Sequence, residues 1–287
     1  MTDDAQHNLR IGELSRRVGV SPELLRAWER RYGLLHPART AGGLRLYSAE
    51  DERRVRAMQA HVEGGLSAAE AARLASAGES VAGGVDQGDA IQRGVGELRE
   101  ALDAMDADAA HAVLDGLVAS FTLETVLAGV VLPYLRELGE RWQRGEASVA
   151  QEHFASNLLR ARLLALARGW ERGEGRLALL ACASGEQHDL PLIAFGLALR
   201  GRGWRIVFLG ADSPAASIAE TAERLRPALV VVSSVTPRGF RREADALAAL
   251  AREQRLVIAG AGATERLAQS LGSSLLRGDP VTAAGAL

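Results

Sequence analysis

Downstream of Gly175 the chain carries four short apolar runs, 176–184, 204–210, 228–235 and 255–260, each followed by a longer stretch with helical periodicity. Parallel strands cannot be joined by a tight turn and need a crossover of about a dozen residues or more. Apolar runs at this spacing therefore predict βαβ units and a parallel sheet with helices on its faces. A fifth strand over Ser274 to Arg277 and a stub of helix close the unit, 175–287, as an open α/β sheet. Open sheets of this class bind ligands outside the carboxyl ends of their strands. Glu186-Gln187-His188 follows the run Leu177 to Ala183 and so stands at that mouth.

A chain of 287 residues exceeds the usual single domain, so further units are expected upstream. All 34 basic residues are arginine, which a GC-rich coding bias explains without a functional cause. The net charge is −2 but unevenly spread: from Asn8 to Arg56 there are eleven arginines against six acidic residues. That asymmetry is the footprint of a nucleic-acid-binding module. The single cysteine, Cys182, sits inside an apolar run as a small core residue and excludes an intramolecular disulfide framework. No signal-peptide pattern and no apolar run near the roughly 20 residues that span a bilayer are present, so the expected compartment is the reducing cytoplasm, with no membrane partner.

Local signals divide the rest. Residues 8–76 read as helix, turn, helix, hairpin, helix, helix. Ser21 caps the second helix with Pro22 at its first position, Gly33 ends it, and Pro37, Gly42 and Gly43 punctuate a hairpin over 34–47. Residues 77–90 are Gly-rich and acidic and read as a flexible linker. Four helical segments, 91–106, 108–120, 123–144 and 149–169, have short connections and predict a four-helix bundle over 91–170. Ser148 with Gln151 is a capping box that places the last break at Gly145 to Ala147.

The run Leu25-Arg26-Ala27-Trp28-Glu29-Arg30-Arg31-Tyr32-Gly33, then Pro37, Arg39 and Gly43-Leu44-Arg45-Leu46-Tyr47, resembles the MerR family of transcriptional regulators over about 70 residues. The resemblance implies a winged helix-turn-helix that binds operator DNA as a dimer. Its second helix would enter the major groove, where arginine reads guanine or grips phosphate. The candidates for DNA contact are Ser21, Arg26, Arg30 and Arg31 with that helix, and Arg39 and Arg45 in the wing. Trp28 and Tyr32 either reach phosphates or pack the head. No long coiled coil follows, so a homodimer or homotetramer must be assembled by the downstream domains.

Glu186-Gln187-His188-Asp189-Leu190-Pro191, then Ser233-Ser234-Val235 and Gly260-Ala261-Gly262, resemble the motifs of cobalamin-binding modules, a helical cap followed by a Rossmann-like sheet. Asp212, in the Gly210 to Pro214 segment after the second strand, fits the same pattern. The resemblance implies that His188 ligates cobalt from below. A ligating imidazole needs its second nitrogen held by a carboxylate or carbonyl, which Glu186 or Asp189 would supply. Trp142 and, after nine intervening residues, Glu152-His153 resemble the cap of CarH/LitR-type B12-dependent photoreceptor repressors. There such residues cover the adenosyl group of adenosylcobalamin: Trp142 would stack on adenine, Val149 would pack beside it, and Glu152 and His153 would meet its polar edges. Read without the resemblance, Trp142 is equally a bundle-core residue, and Glu152 complements a helix N-terminus.

The expected function is thus that of a non-enzymatic, adenosylcobalamin-controlled repressor, with light acting through a change of oligomer. Three departures weigh against parts of it. Pro191 and Ala261 replace motif glycines along the channel for the nucleotide tail, and Gln143 stands where the photoreceptors carry a second cobalt-ligating histidine. The alternative is a MerR-type regulator whose sheet serves dimerisation or binds another ligand, such as a different tetrapyrrole.

Overall fold

The computed structural model describes residues 9–40, 42–77 and 87–287. The chain divides into two compact units. One holds the residues up to Ala101 together with Asp106–Val130, and the other holds Leu102–Met105 and Val131–Leu287.

The first unit opens with helices α1 (Ile11–Val18) and α2 (Pro22–Tyr32). Ser21 caps α2 by accepting from the Leu24 amide, Pro22 occupies the first turn, and Gly33 ends the helix at φ 63°. A two-residue wing follows, β1 (Ala38–Arg39) antiparallel to β2 (Arg45–Leu46), with Arg39 opposite Arg45. Helix α3 (Ala49–Glu63) starts from a capping box between Ser48 and the buried Asp51. Leu14, Leu25, Leu34, Tyr47, Val55 and Met58 form the core beneath these elements, all fully buried. The expected winged layout is present.

Helix α4 (Ala68–Ala77) follows, and the turn before it is joined to the end of α6 (Ala107–Ser120). The Ser67 amide donates to the Ser120 carbonyl at 2.9 Å, and the Thr122 amide donates to the Gly65 carbonyl at 2.8 Å. Helix α5 (Gln87–Asp103) begins earlier than the periodicity indicated. Ala77 and Gln87–Ala90 therefore belong to helices rather than to a linker, and the remainder of the 77–90 stretch lies outside the described residues.

A second difference concerns the helix expected over 123–144. It is split into α7 (Leu123–Val126), a π-helical turn (Leu127–Val131) and α8 (Leu132–Gln143). Pro133 is the reason. It lacks an amide hydrogen and its ring crowds the carbonyl four residues back, so a regular α-helix cannot run through it. A widened π turn absorbs the mismatch. The helices expected for a bundle are thus shared between the units, with α8 and α9 (Val149–Leu166) paired in the second. Ser148 and Gln151 form the expected capping box at the start of α9.

The second unit carries the sheet: β3 (Leu177–Cys182), β4 (Arg205–Gly210), β5 (Leu229–Ser233), β6 (Leu256–Ala259) and β7 (Ser274–Leu275). All neighbours are parallel, in the order β4-β3-β5-β6-β7. Helices α10 (Leu190–Gly201), α11 (Ala215–Leu225), α12 (Pro237–Arg242), α13 (Ala244–Glu253) and α14 (Glu265–Leu271) connect the strands, and α15 (Pro280–Ala284) ends the chain. β3 and β5 are interior strands, and Leu179, Ala181, Val230 and Val232 on them are wholly buried. This is the flavodoxin-like strand order, whose reversal point falls between the first and third strands. Here that point lies between β3 and β5. Cys182 is fully buried there, and burial pushes its thiol up to about 11. It is an inert core residue, as its setting in the sequence indicated.

Candidate functional site

The strand-order reversal positions the site. The loop leaving β3 carries Gly185 to Asp189 and the loop leaving β5 carries Ser234 to Thr236, so both meet at the one crevice the topology opens. Glu186 is buried and ties the two together. One of its oxygens accepts from the Val235 amide at 2.7 Å and from the Ser234 hydroxyl at 3.0 Å. The other accepts from the His188 amide at 2.8 Å and stands 2.6 Å from His188 Nδ1.

Burial is the largest single influence on the Glu186 carboxyl and raises its pKa. The His188 and Val235 amides and the His188 and Ser234 side chains together outweigh that, leaving the group below the usual carboxylate value. Glu186 is therefore an anion at neutral pH. An anion against Nδ1 fixes the proton there and leaves the Nε2 lone pair for a ligand. Of the two partners the sequence left open, Glu186 holds the ring. Asp189 instead faces Arg160 of α9, whose Nε lies 2.8 Å from one carboxylate oxygen.

His188 opens onto a cleft of about 810 Å³, in the upper part of the range of small-molecule sites. One wall comes from α8 and α9. Trp142, Val149, Glu152 and His153 line it, and Gln187, His188, Asp189, Pro191 and Val235 line the sheet side. Trp142 is 51% exposed and Val149 57% exposed. Trp142 is thus a bare indole on the cleft and not a bundle-core residue. Large apolar side chains left open in a concave site mark a surface built to be covered. Glu152 accepts from the Ser156 hydroxyl at 2.7 Å and lies 3.6 Å from His153 Nε2.

Not every residue singled out from the sequence reaches the cleft. Glu186 and Ser234 stand behind it as anchors. Asp212 is outside the lining, at φ 48°, and accepts from the Gly185 amide at 2.6 Å, so it braces the loop. Ser233 lies beside Cys182, Oγ to Sγ 3.6 Å. Gly260 and Gly262 also lie outside the lining. A Cβ at Gly262 would collide with the Thr236 backbone, so its bareness lets the loop after β6 lie on the loop after β5. Ala261 is exposed and also outside the lining. Pro191 falls in the first turn of α10, where an amide hydrogen is not needed, so it replaces the motif glycine at no cost to the helix.

Sequence reasoning missed Arg136, Asn157 and Arg160, which also line the cleft. For Asn157 and Arg160 the signal was available: 149, 152, 153, 156, 157 and 160 fall on one stripe of a helix. Among the described residues no group of three or more His, Cys, Asp or Glu is placed to hold a bare metal ion.

In the head, Arg26, Arg30, Arg31, Arg39 and Arg45 are all exposed. Arg31 stacks over the Tyr32 ring at 5.5 Å, and Trp28 is half-buried. Arg45 donates from Nε to Glu29 at 3.0 Å, and the Tyr47 hydroxyl donates to the same carboxylate at 2.9 Å. Burial first, then Glu29, pushes the Tyr47 phenol up to about 12. Glu29 thereby fastens the wing to α2.

The family model for MerR HTH family regulatory proteins matches residues 9–78, and two models described as B12 binding domain match 95–167 and 176–279. The HTH-type transcriptional repressor CarH of Myxococcus xanthus is 34% identical over 254 residues, covering 86% of this chain and 85% of CarH. The HTH-type transcriptional repressor CarA of the same organism is 36% identical over 270 residues, covering 90% of this chain and 88% of CarA. The chain belongs to the family of MerR-type repressors with B12-binding domains. The Methanosarcina barkeri monomethylamine corrinoid protein shares the fold over 68% of this chain and 97% of its own, at TM-score 0.55 and 18% identity. In this MerR-type repressor with B12-binding domains, the arginines of α2 and the wing are exposed, and the cleft above His188 lies within the second B12-binding domain match and the helices before it. No helix among the described residues is long and apolar enough to cross a membrane.

Proposed function

We propose that this chain is a repressor whose grip on operator DNA is set by adenosylcobalamin, with light as the signal and a change of oligomer as the output. The observation that carries this reading is a histidine with its Nδ1 held by an ionised carboxylate, in the same cleft as an exposed indole. His188 would hold cobalt from below through Nε2. Trp142 and Val149 would cover the upper group, and Glu152 and His153 would take its polar edges. When bound, adenosylcobalamin supplies a cobalt–carbon bond that visible light breaks.

The chain's own part is to bind the two states of the cofactor with different affinity in two arrangements of the cap, since only differential binding moves an equilibrium. Position 143 is a glutamine and brings no imidazole to secure the illuminated arrangement. His153 is the imidazole that the α8–α9 wall offers in its place. A dimer or tetramer in the dark would present two heads to a near-palindromic site.

The test is to load the protein with adenosylcobalamin in the dark and pass it over a sizing column with absorption detection, before and after illumination. Co-elution of cobalamin with the protein, followed by a shift in elution volume on illumination, is expected. A loaded protein whose size ignores light would contradict the light and oligomer parts.

A further inference from the structure

We propose that Arg160 is a positioning residue, clamping the His188 loop to helix α9 and so setting where the lower imidazole stands in the cleft. The proposal rests on the reading of His188 as a residue that would hold cobalt. Arg160 meets Asp189 with two of its nitrogens. Nε stands 2.8 and 3.1 Å from the two carboxylate oxygens, and Nη2 stands 2.8 Å from one of them. The Asp189 side chain is 3% exposed, whereas that of Arg160 is 44% exposed and lines the cleft. A carboxylate that far from water needs a cation or hydrogen bonds. Asp189 does not spend itself on capping α10, although it stands at the N-cap position.

The loop is held from two sides by different means. On the sheet side Glu186 anchors it to the end of β5, and Asp212 holds the Gly185 amide. On the cap side the Arg160–Asp189 pair holds it, one residue from His188. The helix that supplies Arg160 also supplies Val149, Glu152 and His153 on the same stripe. Helix α9 would therefore carry both part of the cover, through Val149, Glu152 and His153, and the clamp on the His188 loop. The gap between them is set by α9, and a displacement of α9 reaches His188 through Arg160.

The full-length protein tests this in two ways, with R160A, R160K and D189N beside wild type. Hydrogen exchange of the segment 184–190, measured without cofactor, is expected to quicken about ten-fold or more in R160A. Exchange of strand 177–182 should quicken less than that of the loop, and the melting temperature should fall, because R160A leaves the Asp189 carboxylate buried without its cation. Unchanged exchange in the loop would overturn the clamp, whether or not cobalamin binds. In the second measurement, dark affinity for adenosylcobalamin should fall about 10- to 100-fold in R160A, as for other groups that orient a metal ligand. R160K should recover only part of it, because a lysine cannot make the planar two-nitrogen contact. A loosened loop with wild-type affinity and an unchanged absorption spectrum would also overturn the positioning role. If R160A does not fold, D189N, which removes the charge and keeps the shape, is read in its place by the same criteria. A wild-type protein that retains no cobalamin would count against the His188 reading, and the exchange measurement would still decide the clamp.

Discussion

Changing His188 to alanine is expected to lower dark affinity for adenosylcobalamin by at least about 100-fold, the upper end of what losing a mere supporting group costs a metal site. It should also change the cobalt-sensitive part of the absorption spectrum. The side chain is 67% exposed, so its removal opens no cavity, and stability loses one hydrogen bond to Glu186, about 1–3 kcal/mol. Glu186 keeps the His188 and Val235 amides and the Ser234 hydroxyl, so the loop retains its anchor. Equilibrium dialysis with the purified variant checks the affinity, and a thermal melt checks that the fold is intact. Wild-type affinity with an unaltered spectrum would mean that cobalt is ligated elsewhere.

The second large effect is expected in the head. Arg26 projects from the exposed side of α2 and, among the described residues, takes part in no ion pair. Replacing it with alanine should cost about 1–3 kcal/mol per half-site, the worth of a bidentate base contact. In a symmetric dimer the loss is counted twice. Arg45 differs, because its Nε is already engaged by Glu29. Its replacement should weaken binding evenly across sequences and lower the salt dependence by about one phosphate contact. Binding titrations at several salt concentrations, on sites selected from random DNA, separate the two. An R26A variant that binds as tightly as wild type would remove α2 as the reading helix.

Much of this architecture is legible in the sequence because its signals are local. Ser21-Pro22 and Gly33 bound α2, and Ser148 with Gln151 opens α9, since caps act within one turn. The parallel sheet is equally plain, because strands buried on both faces must be continuous apolar runs. What the sequence does not show is contact between distant residues. Nothing in Asp189 itself predicts that its partner is Arg160 rather than the helix it precedes. Asp212 and Gly262 fit a cofactor motif, yet one braces Gly185 and the other permits two loops to touch. Motif positions of this kind record the construction of a site as much as contact with its ligand. The break at Pro133 was visible as a proline inside a helical pattern. Its outcome, a π turn rather than an end, depends on the packing around it.

The claim that joins both halves of the molecule is that the occupant of the cleft governs the head. Its most direct measurement is the affinity for a DNA site selected by the protein, determined in the dark with and without adenosylcobalamin and again after illumination. The proposed coupling predicts tight binding only when the cofactor is bound in the dark, with release on illumination. Equal affinity under all three conditions would contradict it.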